Sequence, residues 1–300
     1  MAIKDLRLDL VPKLRRLDIE ARREILSKTL EGEFSTIFKG RGIEFSGFRE
    51  YTPNDDAHFI DWSASLRAKD ILIREYEPYK SFRAFILLDV SNSMLFSSRK
   101  QLKVEYAAEL ASSLAMALLT SDIAVGFGMF NDGLVTRLTP SIGRKTIFEI
   151  NKMLKNPNNY GGGFDLKKVV KLTKSFLRGT CMIIVISDFL GIEEDWYKPF
   201  LLLSQNNDLI SIIVRDPRDR ELPKSGLVVV EDPYSKEKLY VDVKKYGKTY
   251  KELVLKEEDK IKNFFEKMKG ASVVLQTDQD YYLPLVKLFK RKAHMLQIAR

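Results

Sequence analysis

The chain has 300 residues, of which 45% are hydrophobic and 30% charged, an ordinary globular balance that supports a core of normal size. Its single cysteine, Cys181, excludes a disulfide framework and a thiolate metal cluster. Net charge is +9, yet the densest basic cluster, Lys287, Lys290, Arg291 and Lys292, lacks the interleaved aromatics of a nucleic-acid stripe, which argues against nucleic acid as the partner.

The N-terminus is charged, without a signal-peptide core, and no apolar run approaches the ~18 residues of a membrane span. The expected compartment is the cytoplasm, with membrane association only through partners. Leu14, Leu17, Ala21 and Ile25 recur at helical spacing, predicting an amphipathic helix from Pro12 to about Leu30. Residues 40–78 change character: Gly40, Gly42 and Gly47 interrupt regularity among dense aromatics and charges. This reads as an ordered, loop-rich extension with a strand near Ile71–Tyr76, its charges forming a structural network.

The next stretch organises the rest. Phe85-Ile-Leu-Leu-Asp89-Val-Ser91-Asn-Ser93-Met94 reads as a buried strand ended by an aspartate, with two serines at alternate positions. Alternate residues of an extended chain face the same way, so Asp89, Ser91 and Ser93 aim three oxygens at one point. A helix follows from about Lys100 to Thr120, then a strand over Ile123–Phe130, a turn at Asn131-Asp-Gly133 and a short strand over Leu134–Leu138. A helix near Lys145–Leu154 leads to a glycine-rich loop, after which Asp165 can cap the next helix. Cys181–Ile186 is a strand ending in Ser187-Asp188, followed by a helix near 194–203 and the strand Leu209–Val214.

Residues 216–248 interrupt the alternation with Asp216-Pro217, Leu222-Pro223 and Asp232-Pro233; Leu227–Val230 and Leu239–Val243 suggest an antiparallel hairpin. A helix from about Thr249 to Lys269, a strand at Ser272–Leu275 and a final helix from about Tyr281 complete the chain. Strands that alternate with helices and are apolar on both faces predict an α/β fold with a doubly wound, mainly parallel sheet. The expected organisation is a helical and loop extension over 1–79 and a sheet domain over 80–300, with a β-hairpin insertion at about 216–248.

Asp89 and Asp188 end two strands at the same sheet edge and, with Ser91 and Ser93, form a candidate all-oxygen Mg²⁺ site completed by water. Catalytic signatures are missing. Gly247-Lys248-Thr249 lacks the upstream glycine and strand of a phosphate loop, and Gly126-Phe-Gly128 lacks the third glycine of a dinucleotide fingerprint. Two other readings stand beside a binding module. One is a basic nucleic-acid-binding protein; the other is a Mg²⁺-dependent phosphohydrolase with Asp89 as nucleophile, although Ser91 stands where such enzymes place a second aspartate and no lysine clearly supplies the charge clamp.

Asp89-Val-Ser91-Asn-Ser93 on this topology resembles the von Willebrand factor A domain and its metal-ion-dependent adhesion site. Gly40-Arg-Gly42-Ile-Glu44-Phe45, Arg49-Glu-Tyr51-Thr-Pro53-Asn-Asp55-Asp56, Ile60-Asp61-Trp62 and Arg67, with the later proline-marked turns, resemble the bacterial "domain of unknown function 58" family. The resemblance implies a non-catalytic adaptor that works with a MoxR-type AAA+ ATPase and membrane-anchored von Willebrand A proteins in complex assembly or envelope stress tolerance. It also implies direct or water-mediated metal ligation by Asp89, Ser91, Ser93 and Asp188, with an acidic partner side chain filling an open position. The chain departs from the pattern at one place. Where the family's site has threonine after two glycines, this loop reads Gly162-Gly163-Phe164-Asp165. Phe164 offers no oxygen, so weaker Mg²⁺ binding is expected. Partner contact is expected by shape and apolar surface, with Asn92, Met94, Phe164 and Asp165 as candidates.

Overall fold

The computed structural model describes residues 44–53, 55–68, 70–77, 83–193, 195–224 and 226–298. The helix expected over Pro12–Leu30 and the motif glycines Gly40 and Gly42 lie outside them. In the extension, β1 (Glu44–Glu50) pairs antiparallel with β2 (Leu72–Glu77), with a register shift between Phe45 and Gly47. The short helix α1 (Trp62–Ala68) intervenes; Asp61 Oδ1 accepts from the Ala64 N–H at 3.0 Å, satisfying one open donor of its first turn. Arg49 and Asp55 form a forked pair at 2.6 and 2.7 Å.

Six strands build the central sheet: β3 (Arg83–Asp89), β4 (Ala124–Phe130), β5 (Leu134–Ser141), β6 (Met182–Ser187), β7 (Asp208–Arg215) and β10 (Ala271–Gln276). Their spatial order is β10-β7-β6-β3-β4-β5, parallel throughout except for the β4–β5 hairpin. The observed architecture is the doubly wound α/β sheet expected from the alternating runs.

Period-two alternation sorts each strand's side chains onto two faces. Ala84, Ile86 and Leu88 of β3 pack with α2 (Lys103–Thr120), α3 (Arg144–Lys155) and α8 (Tyr282–Ile298). Phe85 and Leu87 point the other way, into a core shared with α4 (Leu166–Phe176), α5 (Tyr197–Ser204) and α7 (Val243–Lys267). That second core is aromatic: Phe189, Trp196, Phe200, Phe264 and Phe265 meet mostly edge to face at 4.8–6.4 Å. Gly126-Phe-Gly128 has a packing role: a Cβ on Gly126 would stand 2.6 Å from the Phe85 ring, which lies across the strand.

The expected insertion hairpin is present as β8 (Leu227–Glu231) and β9 (Lys238–Asp242), a separate two-stranded ribbon. A four-residue helix, α6 (Pro217–Arg220), precedes it, capped by Asp216 with proline in the first turn. Helix α7 starts earlier than expected, directly after β9, because Asp242 caps it by accepting from the Lys244 N–H at 2.9 Å. In the basic cluster of α8, Lys292 is buried against Asp208 at 3.0 Å and Arg291 pairs with Glu266 at 3.1 Å. Both charges are spent within the fold.

Candidate functional site

Strands β3 and β6 are neighbours, and their connections leave in opposite directions: α2 follows β3 on one face, α5 follows β6 on the other. A crevice opens at such a switch point, beyond the carboxyl ends of the strands. Asp89 is the last residue of β3, and Asp188 follows the last residue of β6. The topology therefore brings the four predicted oxygen-bearing residues, Asp89, Ser91, Ser93 and Asp188, to one place. All four are 0–1% exposed.

Asp89 uses both oxygens. Ser91 N–H donates to Oδ1 at 2.9 Å and Ser187 Oγ donates to Oδ2 at 2.6 Å, while Ser187 Oγ itself accepts from the Phe189 N–H at 2.8 Å. Burial pushes the Asp89 carboxyl up to about 7, the negative charge of Asp188 adds to the rise, and the bonds from Ser187 and Ser91 oppose it. A carboxyl so placed gains from any cation that comes to lie beside it.

Asp188 has such a cation. Lys103, 1% exposed at the start of α2, donates from Nζ to Asp188 Oδ2 at 2.7 Å and to Asp219 Oδ2 at 2.8 Å. Burial works against the ammonium, but the two carboxylates outweigh it and raise its pKa above the usual lysine range. Asp219 is held for this contact by α6, where its Oδ2 also accepts from the Asp216 N–H at 2.9 Å. Asp188 Oδ1 accepts from Ser93 Oγ at 3.0 Å and from the Leu190 N–H at 3.0 Å.

The serines form a triangle with a residue from the insertion. Ser91 Oγ and Ser93 Oγ are 3.2 Å apart, and the hydroxyl of Tyr234, in the turn joining β8 to β9, lies 3.2 Å from the first and donates to the second at 3.1 Å. Asn92 ties the glycine loop to the same turn: its Oδ1 accepts from the Gly162 N–H at 2.9 Å and its Nδ2 donates to the Pro233 carbonyl at 3.4 Å. Phe164 is half-buried between the rings of Phe130 and Tyr234, with centroids at 6.2 and 6.4 Å.

One partner-facing candidate is corrected, and another is placed at a helix cap. Met94 is fully buried in the core, because the 3-10 turn at Asn92–Leu95 directs it inward. Asp165 faces its own helix: Oδ1 accepts from the Lys168 N–H at 2.9 Å, capping α4.

Lys103, Ser187, Asp219 and Tyr234 are the site residues that sequence reasoning missed. Lys103 also supplies the lysine that the phosphohydrolase reading lacked. It bridges Asp188 and Asp219, however, while both oxygens of Asp89 are engaged elsewhere.

Two hydroxyls and two carboxylates are the right chemistry for a hard divalent cation. The serine oxygens at 3.2 Å come close to the separation of about 2.9 Å that neighbouring ligands take around Mg²⁺. Phe164 adds no donor. Among the described residues no group of three or more histidine, cysteine, aspartate and glutamate side chains is placed to hold a metal, so the hydroxyls are indispensable to any cation here.

The family model described as "Protein of unknown function DUF58" matches residues 47–260. An uncharacterized protein of Mycobacterium tuberculosis is 27% identical over 230 residues, covering 75% of this chain and 71% of its own length. Among solved structures, the conserved hypothetical protein BatB from Bacteroides thetaiotaomicron is similar over 71% of this chain and 99% of its own, at 16% identity and a TM-score of 0.48. A von Willebrand factor type A protein from Catenulispora acidiphila covers 75% of this chain and 44% of its own, at 11% identity and a TM-score of 0.40. Among the described residues no helix is long and apolar enough to cross a membrane.

Proposed function

Because this chain belongs to the DUF58 family, matched over residues 47–260, we propose that it is a non-enzymatic recognition module whose working surface is the crevice at the ends of β3 and β6. The observation that supports this reading is the convergence of Ser91, Ser93, Asp89 and Asp188 at the switch point, an oxygen cluster of the chemistry that the adhesion-site resemblance implies. Mg²⁺ bound by the serine hydroxyls and balanced by the carboxylates would offer an open position to an acidic side chain of a partner. Phe164 and Asn92, at the mouth, supply apolar and amide contact. The proposed partners, by family resemblance, are a MoxR-type AAA+ ATPase and membrane von Willebrand A proteins, in complex assembly or envelope stress tolerance.

The test is capture of partners from the source cell by the tagged full chain and by a Ser91→Ala, Ser93→Ala variant. Recovery of an AAA+ ATPase or a von Willebrand A protein by the wild type, and its loss with the variant, supports the reading; recovery of neither sinks it. Calorimetric Mg²⁺ titration of the wild type and of Phe164→Thr tests the departure in the loop. The added hydroxyl is expected to tighten binding about tenfold. Tight wild-type binding that the substitution does not improve means that Phe164 is no defect. Lys103 beside the carboxylates keeps a second reading, phosphohydrolase, in view: metal-dependent turnover of a phosphate ester abolished by Asp89→Asn would replace the first.

A further inference from the structure

The recognition reading needs Asp89, Ser91, Ser93 and Asp188 to meet a cation and a partner, yet they are 0–1% exposed. The tip of the β8–β9 ribbon lies directly against two of them, Ser91 and Ser93. Its connecting turn is folded by Asp232, whose Oδ1 accepts from the N–H groups of Tyr234 at 2.8 Å and Ser235 at 2.7 Å. The bonds from Ser235 and Tyr234 hold that carboxyl below its ordinary range. The turn presents the Tyr234 ring to a seat made by Phe164 and Gly191. Gly191 has φ +80°, and a Cβ there would stand 3.0 Å from the tyrosine Cε2, so glycine lets the ring sit close to the backbone. At its bottom the phenol meets Ser91 and Ser93, and it lies 3.5 Å from the Leu190 carbonyl. Burial, then the charges of Asp89 and Asp188, push the phenol upward and keep it neutral.

Behind the tip the ribbon stands away from the body. Val228, Val230 and Leu239 line, with Phe96, Leu222 and Tyr250, an open cavity of about 1160 Å³. Most residues of both strands are exposed. At the base, the Val243 N–H donates to the Gly226 carbonyl at 3.1 Å, and Gly226 holds φ +107° with open space around its Cα. Such a ribbon, with few apolar contacts and an anchored base, belongs to the low-stability end of a fold.

We propose that the β8–β9 ribbon is an autoinhibitory lid, in which the Tyr234 hydroxyl occupies the place of the cation and of the partner's side chain, and that both enter only when the turn swings out. This rests on the recognition reading and adds its regulation. In the closed state the phenol satisfies the serine hydroxyls and Lys103 balances Asp188, so the site is internally complete. In the open state a divalent cation takes the phenol's place beside the serine hydroxyls.

The experiment is calorimetric titration of the full chain and of Tyr234→Phe with MgCl₂ and MnCl₂, together with tyrosine nitration read by peptide mass spectrometry. Removing the hydroxyl deletes bonds that cation entry must break, so Tyr234→Phe is expected to bind about tenfold tighter. Tyr234 is expected to nitrate more slowly than Tyr240 on the same ribbon, which is 67% exposed. Equal affinity of the two proteins overturns the lid, and weaker binding by Tyr234→Phe makes Tyr234 a ligand instead. Nitration of Tyr234 as fast as Tyr240 also overturns it, since the seat is then empty in solution. If neither protein binds either metal, the cation of the recognition reading is wrong, and the nitration ratio alone decides for or against the lid.

Discussion

Lys103→Met removes the cation held between Asp188 and Asp219 at the sheet edge. The substitution keeps most of the apolar stem of the side chain, so little cavity is created and the loss is electrostatic. Asp188 Oδ2 loses a contact of 2.7 Å and Asp219 Oδ2 one of 2.8 Å, in surroundings where Lys103 and Asp188 are 1% and 0% exposed. Breaking a buried pair leaves an uncompensated charge and costs about 3–5 kcal/mol. For a domain of this size that lowers Tm by roughly 6–20 °C. The assay is urea unfolding followed by circular dichroism near neutral pH with a chelator present. Added Mg²⁺ is expected to restore part of the loss in the variant and to change the wild type less. A loss below about 1 kcal/mol, the range of an exposed pair, would refute the assignment of Lys103 as the counter-ion of the site.

Asp89 sets a pH dependence of the opposite sign to that of a salt-bridged carboxylate. Its folded value, about 7, lies above the ordinary value of 3.8, so between these the native state binds more protons and stability falls as pH rises from about 4 to about 7. The fall has an upper bound on the order of 4 kcal/mol, and Asp89→Asn is expected to flatten the curve in a metal-free urea series; a curve unchanged by the substitution places the titration elsewhere. Phe265→Ala, at the centre of the aromatic core and fully buried, is expected to cost about 3–5 kcal/mol in the same assay; a cost near zero means that the core does not depend on it. Gly126→Ala forces a methyl to 2.6 Å from Phe85 and 2.9 Å from the Leu138 carbonyl, and is expected to cost about 1–3 kcal/mol without changing metal binding. A neutral outcome there shows that Phe85 has room to turn.

The sheet was legible in the sequence because its strands are apolar on both faces, and runs such as Cys181–Ile186 have few other places to go. Asp89, Ser91 and Ser93 do converge, but β3 ends at Asp89 and Ser93 lies in the 3-10 turn over Asn92–Leu95, so that turn, and not strand alternation, aims the last oxygen. Strand β1 was missed because Gly47 and its charged neighbours break the alternation that marks a strand; the partner strand β2 and the bulge at Gly47 supply what local pattern does not. Lys103 and Tyr234 were invisible for a different reason. Lys103 meets Asp188 across 85 residues, and Tyr234 meets Ser91 across 143, so only closure of the sheet and docking of the ribbon make them part of the site. Tyr234 follows Asp232-Pro233, which marks a turn; nothing local says where the tip of that turn lands.

Strand β9 ends at Asp242 and helix α7 begins at Val243, with no residue between them. The helix runs for 25 residues, a rod of about 37 Å. Near its far end Ile261 and Phe265 are clamped in the aromatic core on one face of the sheet. The ribbon is thus continuous with a helix whose far end packs Phe265 against Phe189 and Trp196, with ring centroids at 6.2 and 6.4 Å.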